Sequence, residues 1–378
     1  MLRRTIFDET HELFRDSVRR FFAAELTPNI PRWEADGIID KSFWRRCGEQ
    51  GLLCPDMPEL YGGSGQDFRF NAIVLEETSF TGSSSPTFGV HSDIVAHYLL
   101  KYGTAEVREK WLPRMADGTA VSAICMTEPD GGSDLQRIRT TARREGDIYR
   151  INGSKTFITN GVIADIALVA AKTGGAEGSK SLSLFLVETD RVGYVVGRKL
   201  DKVGQRSSDV AEIFLQDVRV PTNHLLGAEN QGFVYMMQEL PQERLSIAVT
   251  AQAAAQHAYD ITVEYVKQRR AFNKTLLEFQ NTRFVLADLR AKLQVGWAHL
   301  DGCIMALVNK ELATAGAAAA KLWHTELRCE VADACVQLFG GYGYMNEYEI
   351  SRLWKDARVQ RIYGGTSEIM KELISRAI

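Results

Sequence analysis

Ser181-Leu182-Ser183-Leu184-Phe185-Leu186 and, thirty residues on, Glu212-Ile213-Phe214-Leu215 carry the reading that decides the fold. Successive side chains of a strand point to opposite faces, so a period near two marks a strand with at least one buried face. From about Val121 to Glu229 such runs follow one another, separated by Gly, Asp, Asn and Pro clusters with no helical pattern between them. Short strands joined by turns predict a small antiparallel barrel or sandwich and argue against alternating strand-helix units.

On either side the period changes. From Asp8 to about Ala116, Phe14, Val18, Phe21 and Phe22 recur at helical spacing, and Val74, Leu75, Phe80 and the stretch Ile94 to Leu100 continue the pattern. Gly62-Gly63-Ser64-Gly65 and Gly82-Ser83-Ser84-Ser85-Pro86 interrupt it as loops. Beyond about Gly232, Ile247, Ala251, Ala254, Ala258, Ile261 and Tyr265 form one stripe with small residues at its centre. Further helical stretches run from Phe284 to about Leu307 and from Ala317 through Leu338, which predicts a bundle of four or five helices. The expected architecture is α+β in three parts: a helical domain over 1–120, a β domain over 121–230 and a helical bundle over 231–378.

Composition bounds the function. With 378 residues, 45% apolar and 25% charged, the chain buries an ample core without disulfides. A net charge of -3 gives no electrostatic ground for a nucleic-acid partner. The six cysteines lack a CxxC pair or framework spacing and read as free thiols in a reducing compartment. Asp8, Glu9 and Glu12 stand where a signal peptide needs an apolar run, so the N-terminus reads as a first helix, and no stretch approaches a membrane span. The expected location is cytoplasmic. No phosphate-binding loop, dinucleotide fingerprint or zinc-protease motif occurs, no metal site is expected, and the scattered histidines receive no role.

Three segments stand out. Met126-Thr127-Glu128-Pro129-Asp130-Gly131-Gly132-Ser133-Asp134 is a polar glycine-bearing turn at the start of the β region, which alone is equally an ordinary loop. Phe157-Ile158-Thr159-Asn160-Gly161 suits stacking and hydrogen bonding to a planar ring, and equally a strand end with an Asn-Gly turn. Tyr363-Gly364-Gly365-Thr366-Ser367-Glu368 offers a turn and an N-capped terminal helix, whose free N–H groups could also receive a polar ligand.

Together and in this order, with Arg269-Arg270-Ala271-Phe272-Asn273-Lys274 and Gln337-Leu338-Phe339-Gly340-Gly341-Tyr342-Gly343-Tyr344, these segments resemble the acyl-CoA dehydrogenase family over nearly the whole chain. The first resembles the signature TEPxxGSD, and the second resembles WITNG with Phe157 in place of tryptophan. The resemblance implies an acyl-CoA dehydrogenase-like fold: N-terminal helical domain, middle antiparallel β-barrel domain, C-terminal four-helix-bundle domain. Family members usually carry a catalytic glutamate in a tail Tyr-Glu-Gly-Thr, where this chain has Tyr363-Gly364-Gly365-Thr366. Pro241-Gln242-Glu243-Arg244 resembles the long-chain and isovaleryl-type branches, in which a glutamate before a helical arginine takes over. A glycine at 364 leaves room for Glu243 to reach the same carbon, and Pro241 is expected to break or restart the helix there. Without that context, Glu243 reads as a surface partner of Arg244 or Arg290.

The resemblance further implies FAD as cofactor and α,β-desaturation of an acyl-CoA. Glu243 would remove the α proton, and the backbone N–H of Gly364 would help polarise the thioester carbonyl. It places Ile124, Met126, Thr127, Gly132, Ser133, Phe157, Ile158, Thr159, Thr366 and Glu368 beside the flavin. Arg269, Phe272, Gln280, Gln337, Leu338, Gly340 and Gly341 would approach the dinucleotide from a neighbouring subunit, so a homo-oligomer, by family habit a tetramer, is expected. Ser133, Ser179, Pro241, Gln242, Glu243, Arg244 and Gly365 are the expected substrate contacts, and an electron-transfer flavoprotein the expected acceptor. Rival readings are an acyl-CoA oxidase or nitroalkane-oxidising relative, and a flavoprotein that binds a macromolecular partner without turning over thioesters.

Overall fold

The computed structural model describes residues 3–174 and 178–378. Helix α1 (Glu9–Glu25) starts where the acidic cluster predicts, with the Asp8 side chain accepting from the His11 N–H at 3.2 Å as N-cap. Helices α2 (Ile30–Asp36), α3 (Lys41–Glu49) and α4 (Phe68–Phe80) follow. A π-helical turn, Gly89–Val95, then runs into α5 (Ala96–Tyr102), and α6 (Ala105–Ala116) completes the first helical layer.

Eight strands come next: β1 (Ser122–Cys125), β2 (Thr141–Glu145), β3 (Ile148–Thr159), β4 (Ile166–Lys172), β5 (Leu182–Glu188), β6 (Tyr194–Lys199), β7 (Val210–Pro221) and β8 (Leu225–Leu226). They form one sheet in the order β6-β7-β3-β2-β4-β5-β8. Pairing is mostly antiparallel, but β1 lies parallel to β4, Ser122 opposite Ile166, a departure from the all-antiparallel expectation. β7 keeps the period of two, with Ala211, Ile213 and Leu215 inward and Phe214 exposed. β4 is buried on both faces. Ile166, Leu168 and Ala170 join the core against α5 and α6, whereas Ala167, Val169 and Ala171 face the strands opposite.

The remaining elements are α7 (Gly232–Gln268), the two-residue pair β9 (Arg270–Ala271) and β10 (Lys274–Thr275), α8 (Gln280–Val308), α9 (Thr314–Phe339), α10 (Glu349–Ala357) and α11 (Ser367–Ser375). The alanine stripe of α7 lets it lie close along α9. Leu245, Ala248 and Val249 of α7, with Trp297 and Leu300 of α8, share a core with Phe22, Trp33 and Phe43 of the first segment. The helical segments at the two ends of the chain therefore pack as one body.

Pro241 does not break α7, contrary to the sequence-based expectation: the helix runs through it from Gly232 to Gln268. The proline removes the donor to the Met237 carbonyl, a defect that costs roughly 3 kcal/mol in an isolated helix. Tertiary contacts hold the turn before it: Met236 and Glu239 are buried, and Glu239 is tied to α5.

Candidate active site

Glu243 is 7% exposed, so the surface-partner reading does not hold. The Tyr98 hydroxyl donates to Glu243 Oε1 at 3.1 Å. One turn earlier on α7, Glu239 accepts from Lys101 Nζ at 2.6 Å and from the Tyr102 hydroxyl at 2.7 Å. Tyr98 and Tyr102 are likewise one turn apart on α5, so two tyrosines of one helix meet two carboxylates of another in register. Burial pushes the Glu243 carboxyl up to about 7, with the Tyr98 hydrogen bond and the Arg244 charge pulling down and Glu239 adding to the rise. Arg290 lies elsewhere, beside Tyr259 and Asp260.

The neighbours of Glu243 extend the polar lining. Arg244 is buried and its Nε has no partner among the described residues. Gln242 Nε2 donates to the Asp93 carbonyl in the π-helical turn at 3.0 Å, and the Asp93 side chain, pushed up to about 7 by burial, accepts from Asn71 at 2.7 Å. Pro241 is half-buried.

The tail turn faces the same stretch of α7. Gly364 has φ +64°, and a Cβ built there would lie 2.4 Å from Ile247 Cδ1, one turn beyond Glu243. Backbone conformation and space both call for glycine at this position. Gly365 has φ +96°, and its carbonyl accepts from Lys321 Nζ of α9 at 2.6 Å. Thr366 caps α11, its side chain accepting from the Ile369 N–H at 3.3 Å, as the sequence predicts, and Glu368 stands exposed in the first turn.

On the β side, Glu128 anchors the 126–134 turn. It accepts from Lys155 Nζ at 2.8 Å, from the Thr140 hydroxyl at 2.6 Å and from the Arg139 N–H at 2.6 Å, while the same Lys155 donates to the carbonyls of Ala170 and Met126. Thr156 N–H donates to the Thr127 carbonyl at 3.0 Å, which ties this turn to β3. Ile124, Met126, Thr127 and Thr159 are half-buried, whereas Gly132 and Ser133 are exposed. Phe157, at φ +58°, swings its ring outward and is 68% exposed. Ile158 points the other way, into the core of the sheet. The side chain of Ser179 lies outside the described residues.

A second cluster sits at the other end of α7, about 39 Å beyond Glu243 at 1.5 Å per residue. The Arg269 guanidinium lies 5.2 Å from the Tyr342 ring centroid, and Tyr265 stacks on Phe339 at 3.9 Å. Gln280 and Gln337 are exposed, Leu338 is half-buried, and Phe272 is 89% exposed. A Cβ added to Gly340 or Gly341 meets nothing within 4 Å, so this surface is open to close approach.

Known proteins match this chain in sequence and fold. Residues 8–119 match the acyl-CoA dehydrogenase N-terminal domain, 123–218 its middle domain and 230–378 its C-terminal domain. The chain belongs to the acyl-CoA dehydrogenase family. It is 48% identical over 377 residues to the mitochondrial long-chain specific acyl-CoA dehydrogenase of Mus musculus, covering 99% of this chain and 88% of that one. A crystal structure of an acyl-CoA dehydrogenase from Geobacillus kaustophilus superposes with TM-score 0.96 at 45% identity, covering 98% of both chains. A glutaryl-CoA dehydrogenase from Mycobacterium smegmatis in complex with FADH2 superposes with TM-score 0.92 at 28% identity, covering 98% of this chain and 95% of that one.

As an acyl-CoA dehydrogenase family member, the chain groups its candidate residues into a Glu243 and Gly364 set, a β-side set around Phe157, and a remote set around Arg269. Sequence reading missed the α5 residues Tyr98, Lys101 and Tyr102 and gave Glu239 no role. The matched one-turn spacings of two tyrosines and two glutamates were the available signal, but nothing in the sequence shows that α5 and α7 touch.

Proposed function

We propose that this acyl-CoA dehydrogenase oxidises a saturated acyl-CoA to the trans-2-enoyl thioester with FAD as cofactor, and that Glu243 is its catalytic base. The observation that carries the reading is the facing of Glu243 and the tail turn: Gly364 points its missing side chain at Ile247, one turn from a buried carboxylate. FAD when bound supplies the acceptor for the β hydride.

The residues present fit such a group. Phe157 offers an exposed ring near a strand end, Thr127 and Thr159 are half-buried hydroxyl residues of the same β side, and Gly364-Gly365 at positive φ present backbone where side chains would intrude. Glu243 takes the α proton, and its raised affinity for a proton suits a base acting on a weak carbon acid. The N–H of Gly364 donates to the thioester oxygen, stabilising the charge that develops there. Gln242, Arg244 and Gly365 hold the thioester end, with Pro241 shaping the wall beside them.

Arg269 follows the end of α7, about 39 Å along that helix from Glu243, and we group Phe272, Gln280, Gln337, Leu338, Gly340 and Gly341 with it. We assign them to the cofactor of a neighbouring subunit in a homo-oligomer, the tetramer being the form we expect. An electron-transfer flavoprotein is the proposed acceptor. All six cysteines are free, which suits a reducing compartment, and we place the protein in the cytoplasm. No described helix is long and apolar enough to cross a membrane.

The test is anaerobic bleaching of flavin absorbance by a panel of straight and branched saturated acyl-CoAs, with Glu243→Gln alongside. Rapid bleaching of the native protein that falls at least about a thousandfold in the variant is expected for loss of the base. A variant that bleaches as fast as the native protein removes Glu243 from the role, and no bleaching with any thioester removes the activity.

A further inference from the structure

We infer that Tyr98 is a positioning residue for Glu243, and that the neighbouring Tyr102–Glu239–Lys101 set is an electrostatic counterweight acting on the same carboxylate. This deepens the proposed function and rests on Glu243 being the base.

A base on a helix has two oxygens and rotatable side-chain bonds, and only an oxygen aimed at the α carbon is useful. Here Oε1 is tied by the Tyr98 hydroxyl at 3.1 Å, while Oε2 takes no hydrogen bond among the described residues. One hydrogen bond from a rigid, fully buried ring fixes the carboxylate plane and leaves the other oxygen free to receive a proton. The phenol is itself immobile: Tyr98 is 0% exposed, and burial together with the Glu243 charge holds its own proton on the oxygen. It therefore remains a donor to the ionised Glu243 carboxylate.

The second pair acts through charge. Glu239 is buried one turn from Glu243, and Lys101 and Tyr102 tie its oxygens down. Its negative charge favours the protonated form of Glu243, whereas the Tyr98 hydrogen bond favours the ionised form. The other charged or titratable groups facing this stretch are Arg244 on α7, which favours ionisation, Asp93 in the π-helical turn, and Lys321 on α9, which stands near Arg244. Tyr98 and Glu239 thus push the base in opposite directions from two neighbouring rungs of one α5–α7 contact.

The test compares Tyr98→Phe and Glu239→Gln with the native holoenzyme. Phenylalanine keeps the ring and removes only the donor. It is expected to lower kcat about tenfold with KM for the acyl-CoA changed less than about twofold, and to move the acid limb of the kcat/KM profile to higher pH by about one unit. Glu239→Gln is expected to move the same limb to lower pH. An infrared titration of the carboxyl band that disappears in Glu243→Gln should show the same two opposite shifts without turnover. Both variants moving the limb the same way, or Tyr98→Phe leaving limb and kcat as in the native protein, overturns the inference. If Glu243→Gln itself still reduces the flavin, the base assignment fails instead. If Tyr98→Phe does not fold, the direction of the Glu239→Gln shift decides.

Discussion

Glu243 is a residue the fold would be more stable without. Its carboxyl belongs near 4.5 in water, and burial raises it to about 7. A raised carboxyl favours the folded state only while it stays protonated, so this advantage is complete below the unfolded value and lost as pH rises through the folded one. Between those limits the folded state gives up about 3 kcal/mol relative to a neutral side chain of the same shape. Glu243→Gln, which keeps an acceptor for Tyr98, is therefore expected to melt several degrees above the native protein at pH 8.5 and at nearly the same temperature at pH 5. Thermal scans of the two proteins at both pH values check this, and an equal gap at the two values would mean that ionisation is not the cause.

At the scale of elements, the 126–134 turn has no regular secondary structure to hold it apart from one backbone bridge, Glu128 to Gly131. It is fixed by the buried pair Glu128–Lys155. Burial alone would raise the Glu128 carboxyl, yet the Lys155 ammonium and the Thr140 and Arg139 donors hold it below its ordinary range. Breaking one side of such a pair leaves a buried charge without its partner, so Lys155→Met is expected to cost about 3–5 kcal/mol. Adding Glu128→Gln should recover part of that loss. Urea unfolding of Lys155→Met, Glu128→Gln and the double variant measures it, and purely additive losses would show that the two side chains do not depend on each other.

Element by element, the sequence was legible where a segment's own pattern decides its state. The period of two in Ile213–Leu215, the helical stripe from Ile247 to Tyr265 and the Thr366 cap all appear where the residues predict them. Pro241 was misread because its local preference was overruled by packing that involves Lys101 and Tyr102, more than a hundred residues away. The parallel β1–β4 pairing and the Tyr98–Glu243 bond were invisible for the same reason: 145 residues separate the latter pair, and no local pattern encodes that distance.

For the whole molecule, the deciding quantity is the length of α7. One helix carries Glu243 near its start and ends at Gln268, beside Arg269, so the two candidate clusters of a single chain lie about 39 Å apart on a rigid rod. If both serve flavin, each cofactor site is built from two chains, and two defective chains can repair one another. Phe157→Ala damages the β-side half and Arg269→Ala the remote half, and each variant alone is expected to retain little FAD after gel filtration. Unfolded together, refolded and reloaded with FAD, they form mixed oligomers in which about one site in four receives both intact halves when subunits associate at random. Flavin absorbance near that fraction of the native value is the expected result, with bleaching by acyl-CoA restored in proportion, because Glu243 is intact in every chain. Mixtures that hold no more flavin than the separate variants would place both halves in one subunit, and α7 would then have to bend between Glu243 and Arg269, a stretch without proline that packs closely on α9.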